Sequence, residues 1–166
     1  MTLIVKEQMI KSMITVGYYF LTDEQPHASL CIYKWLSKLT IINTKLKKEL
    51  DNFHNAWKTT FQDKKESDFE IPPINDNGDD EEQKLLYVAA QIIMNVLSIG
   101  DYEMGYMHLV EWSEDWPLLY IQVKEMIKKS SFKMSFTEWL MGHTFMAFDI
   151  LGEKEFQSAG YSIKKI

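Results

Sequence analysis

Two glutamate–histidine pairs, Glu103 with His108 and Glu138 with His143, first suggest metal chemistry. Helical carboxylate sites place Glu and His three residues apart, on one face; five apart, the two side chains diverge by roughly 140° around a helix. His108 and Glu111 do have the three-residue spacing, but no second such pair accompanies them, and His27 and His54 complete a scattered set of four. No metal site is expected. Asp101, Glu103, Glu111, Glu114 and Asp115 crowd one stretch and could in principle supply an acid/base pair for glycoside chemistry. Twenty-four acids in 166 residues make such crowding common, and a solvated acidic face explains it more simply. The single cysteine, Cys31, sits beside Ile32 and Trp35, reads as a small buried hydrophobe, and excludes any internal disulfide. Serine-hydrolase, P-loop and dinucleotide patterns are missing from the sequence. No catalytic residue and no cofactor are expected.

What remains is chemistry of recognition. Residues 101–116, DYEMGYMHLVEWSEDW, combine Asp101, Glu103, Glu111, Glu114 and Asp115 with Tyr102, Tyr106, Trp112 and Trp116. Rings that desolvate well beside carboxylates that steer are what binding a basic protein requires. The competing reading makes the aromatics core and the acids the solvated side of the same helix. A second acidic group, Asp79, Asp80, Glu81 and Glu82, is a further candidate contact; the same charges also suit a helix N-terminus, where the macrodipole stabilises them.

Charge sharpens the class of partner. All eighteen basic residues are lysine, and the net charge is -6. Without arginine there is no planar five-donor fork for clamping phosphate, so nucleic-acid binding is not expected. Residues 63–82 hold nine acids and two lysines, more than the whole negative excess. With Pro72, Pro73, Asn75, Asn77 and Gly78 in the same stretch, residues 63–80 read as an exposed acidic linker between two helical halves of one domain, 1–166. The apolar stretches Met13–Leu21 and Leu85–Ile99 are too short or too interrupted to span a bilayer about 30 Å thick. A soluble cytoplasmic protein with no membrane partner is the expectation.

The elements that must position these residues are helical. Ile42, Leu46, Leu50, Phe53, Trp57 and Phe61 recur at steps of three and four, the stripe of an amphipathic helix. Helices are expected over Leu3–Leu21 and Ala28–Leu39, and over Glu81–Ser98, where Leu85, Leu86, Val88, Ala89, Ala90, Ile92, Ile93, Val96 and Leu97 make a segment apolar nearly all round. Gly100 suits a helix end and Asp101 can cap the next helix; Asp115 with Pro117 starts another, ending at Lys128 and Lys129. Ser135–Glu138 is a capping box ahead of Trp139, Leu140, Phe145, Met146 and Ile150. The expected fold is all-α, a single domain of about seven helices in antiparallel hairpins, a helical array or bundle.

An acidic, aromatic-rich, helical chain with no catalytic motif, carrying Asp79–Glu82 and Asp101–Trp116, resembles the bacterial immunity proteins that neutralise toxins of contact-dependent or type VI systems. The resemblance is one of general character and transfers no functional residue. It implies a non-catalytic inhibitor binding a cognate, basic toxin domain. Two alternatives stand beside it: a helical enzyme assembling His108, Glu111, His143 and Asp149, and an adaptor that binds a peptide helix along Met104, Met107, Met141 and Met146.

Overall fold

Thr2 accepts the Val5 amide on its hydroxyl, and the helix it caps, α1, runs Leu3–Thr22. In this computed structural model residues 1–74, 80–99 and 101–129 are described. α1 ends in a Schellman motif: the Gln25 amide reaches the Phe20 carbonyl at 2.9 Å and the Glu24 amide the Leu21 carbonyl at 3.2 Å. That geometry puts Glu24 at φ 56°, a left-handed conformation ordinarily left to glycine. Helix α2, Pro26–Ser37, follows at once, earlier than the sequence suggested, because proline needs no amide partner in a first turn. Residues 38–43 separate it from α3, Thr44–Thr60, whose Asn43 cap accepts the Leu46 amide at 2.9 Å and donates its side-chain amide to Glu7.

α1, α2 and α3 each pack against the other two. The anticipated stripe of α3 is buried at Leu46, Leu50, Phe53 and Trp57, with Phe61 beyond its end, and meets Ile10, Met13, Phe20, Leu30, Trp35 and Leu36 in a solvent-free core. Gly17 lets α1 and α3 approach closely: a Cβ there would come within 2.7 Å of the Phe53 ring.

The stretch read as an exposed linker is largely exposed over its described residues and also makes contacts with α2 and α3. A short 3-10 turn at Glu66–Asp68 leads into extended chain. Trp35 donates its indole N–H to the Pro72 carbonyl at 2.8 Å, His27 Nε2 lies 2.6 Å from the Glu70 carbonyl oxygen, and Phe69 stacks on His27 and stands edge-on to Trp57. In this strap, residues 65–74, the anchoring groups are largely backbone carbonyls, which is why its polar sequence gave no sign of docking.

Helix α4, Glu81–Ser98, is apolar nearly all round as expected, and Leu85, Val88, Ala89, Ala90, Ile92, Ile93, Val96 and Leu97 are essentially without solvent exposure. The chain divides into two contact units, Met1–Ile92 and Ile93–Ile166. In the second unit, α5 (Tyr102–Asp115) and α6 (Pro117–Lys129) pack together, burying Leu109, Trp112, Trp116, Leu119, Val123 and Ile127. Asp101 caps α5 by accepting the Met104 amide at 3.1 Å. The described residues thus form six α-helices and no strand, an all-α array. The expected helix after Ser135, the Gly100 helix end and the tail 156–166 lie outside the described residues.

Candidate interaction surface

The acids ahead of α4 are engaged within the protein. Asp80 caps the helix, its carboxylate accepting the Glu82 amide at 3.0 Å. Glu81 accepts the Thr40 amide at 3.0 Å and lies 3.4 Å from Lys84 Nζ. Glu82 lies 3.7 Å from the Met1 amino group. Asp79 falls outside the described residues. Asp80, Glu81 and Glu82 belong to the first contact unit and residues 101–116 to the second.

On α5 the two classes of residue separate. Trp112 and Trp116 are core, 3% and 6% exposed, so these rings are not surface anchors. Tyr106 is half-buried; the side chain of Tyr102 is not described. Asp101 is taken up in capping. Glu103, Glu111, Glu114 and Asp115 are exposed. On these helices the apolar side chains that reach solvent are Met107 (54% exposed), which the sequence offered only as part of a peptide-binding methionine groove, and three it did not single out as contacts: Val110 (40%) on α5, and Leu118 (59%) and Ile121 (57%) on α6. Each pair is spaced i, i+3 and so shares a helix face. Once Leu119, Val123 and Ile127 define the buried stripe of α6, the opposite face necessarily carries Leu118, Ile121 and Glu125, all exposed. The outer faces of α5 and α6 therefore carry apolar side chains in pairs, accompanied by five exposed carboxylates.

Among the described residues, those weighed for chemistry do not converge. His108 Nδ1 lies 4.0 Å from Glu111 Oε2, with its ring 5.1 Å from that of Trp112. Burial pushes the His108 imidazole below its ordinary pKa, and the nearby carboxylates of Glu111 and Asp101 only partly oppose this. His143 and Asp149, its supposed enzyme partners, lie outside the described residues, as do Met141 and Met146. Among the described residues no three His, Cys, Asp or Glu side chains converge on a metal position. Burial pushes the Cys31 thiol up to about 11, so the reactive thiolate is suppressed at neutral pH. No described helix is long and apolar enough to cross a membrane.

Two open pockets lie in the first unit. One, about 330 Å³, is lined by Lys11, Tyr18, Glu49 and Asn52 between α1 and α3; the other, about 140 Å³, lies beside Lys38, Pro73 and Lys84. The first is lined mostly by polar side chains but stands wide open to solvent. Comparison with protein-family models, with curated proteins and with solved structures finds no match.

Proposed function

We propose that this chain is a non-catalytic interaction protein of the immunity type, which inhibits a basic toxin domain by binding it on the outward faces of α5 and α6. The observation that carries this reading is the juxtaposition on these faces of solvent-exposed Met107, Val110, Leu118 and Ile121 with exposed Glu103, Glu111, Glu114, Asp115 and Glu125. Carboxylates steer a cationic partner and set the on-rate, while apolar side chains shielded on contact supply most of the affinity. The partner would bring the cations: a chain without arginine offers carboxylates only lysine, histidine or an amino terminus in return. Burial of Trp112 and Trp116 moves the expected anchors from tryptophan to these four aliphatic and thioether side chains.

The test is co-expression with the toxin-like product of the neighbouring gene, followed by binding of the purified pair. The expected complex has nanomolar affinity and weakens by about tenfold or more between low and high salt, as exposed charges become screened. Glu111→Lys with Glu114→Lys should lower the association rate, and Leu118→Ala with Ile121→Ala should raise the dissociation rate. Normal growth of cells expressing the neighbour alone would remove the reading. The exposure of Met107 also favours the peptide-helix adaptor; a complex indifferent to salt and to charge reversal would select that reading instead.

A further inference from the structure

The groove between α1 and α3 carries charges that the fold itself leaves unused. The two helices run parallel and in one register: Asn43 donates to Glu7 at 2.9 Å and Phe53 packs against Gly17, both contacts joining residues 36 apart. Along this seam lies the open pocket of about 330 Å³. Lys11, Ile14, Thr15 and Tyr18 share one face of α1 by their three- and four-residue spacing and form one wall; Glu49 and Asn52, three apart on α3, form the other. Ile14, 5% exposed, gives an apolar floor, and the Tyr18 ring is held edge-on to Phe53 at 5.2 Å. The Thr15 hydroxyl donates to the Lys11 carbonyl at 3.1 Å, which leaves its oxygen only to accept. The side chains of Lys11, Tyr18, Glu49 and Asn52 make no hydrogen bond or ion pair with any described residue.

We propose that this groove binds a small zwitterion with an apolar side chain, of the size of an α-amino acid. A cation on one helix and an anion on the other, neither with an internal counter-charge, are complementary to a molecule that carries both signs on one short frame. Its carboxylate would meet Lys11, with the Tyr18 hydroxyl and the Asn52 amide as further donors; its ammonium would meet Glu49, with the Thr15 oxygen as a further acceptor. The apolar side chain would lie on Ile14 and the Tyr18 ring. Helices in contact have axes about 8–10 Å apart, and side chains on both walls narrow that to a gap one small molecule spans. The volume sits at the lower end of small-ligand sites, about 300–1,000 Å³. Because the groove is open to water, both charges stay partly hydrated and binding is weak, with a dissociation constant of about 1–10 mM. The site belongs to the first contact unit and does not rest on the surface proposed on α5 and α6.

The test is titration of the full chain with leucine at constant ionic strength, followed by amide NMR. Saturable shifts should concentrate on Thr15, Tyr18 and Asn52. Isocaproate and isoamylamine, which keep leucine's side chain and one charge each, should bind about two- to fivefold more weakly. Lys11→Met and Glu49→Gln should each weaken leucine by a similar factor. Lys11→Glu combined with Glu49→Lys exchanges the two walls and should restore binding, because the ligand can turn end for end. The proposal is overturned by the absence of saturable shifts, by shifts scattered away from the groove, or by an analogue that binds as tightly as leucine. Unchanged leucine binding in either single variant, or an exchange variant no better than the single ones, overturns it equally. The analogue comparison uses the parent protein alone, so it decides the matter whatever the substitutions do to folding.

Discussion

The ring of Phe53 occupies the space where Gly17 would carry a side chain, so a Cβ on Gly17 would lie 2.7 Å from Phe53 Cζ and 2.9 Å from Cε2. Phe53 has no solvent exposure, and Tyr18 stands edge-on to it at 5.2 Å, so the ring has little room to withdraw. Alanine inside a helix gains about 0.5–1 kcal/mol over glycine, whereas overpacking a filled core costs about 1–3 kcal/mol. The clash should win. Gly17→Ala is expected to lower stability by roughly 1–2 kcal/mol in urea unfolding, and the loss should shrink in a Phe53→Leu background.

Glu24 presents the opposite case. At φ 56° it holds the left-handed position of the Schellman motif closing α1, with a side chain that disfavours that conformation. Glu24→Gly should stabilise the protein by about 0.5–1 kcal/mol, after allowing for glycine's larger unfolded-state entropy. Glu24→Ala should give no such gain. Urea midpoints of the two variants at equal slope decide this.

These positions show what could be read from sequence and what could not. The stripe Leu46, Leu50, Phe53, Trp57 announced α3 and its buried face, because period and burial are one physical fact in a helix. Asp101 and Pro117 marked the starts of α5 and α6 through capping and proline geometry, which depend on neighbouring residues alone. Trp112 and Trp116 were ambiguous: aromatics beside acids look the same in sequence whether the rings face the core or a partner. The outward Val110, Leu118 and Ile121, and their company with Met107, became visible only once the packed face of each helix was fixed. The strap's docking was hidden for another reason: the Glu70 and Pro72 carbonyls that anchor it belong to every residue type.

His108 should make the second unit sensitive to acid. Burial depresses its imidazole below the ordinary value, so the unfolded chain binds a proton before the folded one does. Its contribution is present above the ordinary histidine pKa and is lost as pH falls through that value towards the folded one. His108→Gln should reduce the fall in stability between about pH 7 and 5, measured as the urea midpoint against pH.

Cys31 should act at the other end of the scale. Its thiol moves from 9.0 to about 11, so above pH 9 the unfolded chain releases the proton first and the fold loses up to about 2–3 kcal/mol by pH 11. Burial and then Asp51 raise the Tyr33 phenol in the same direction. Cys31→Ala should therefore remove part, but not all, of the alkaline loss. In the parent protein at neutral pH the thiol should resist aromatic disulfide reagents until denaturant is added.

The indole N–H groups of Trp57 and Trp35 tie two later parts of the chain to opposite ends of α2: Trp57 donates to the Pro26 carbonyl at 2.9 Å, and Trp35 to the Pro72 carbonyl at 2.8 Å. Both bonds are short, one reading the helix's first turn and the other its last. α2 therefore works as a gauge of fixed length between the end of α3 and the strap. A single residue inserted between Pro26 and Trp35 would rotate the downstream indole by about 100° and advance it by about 1.5 Å, so one tie would have to break for the other to hold. The spacing along this helix, more than the identity of its exposed residues, is the quantity the sequence must keep constant.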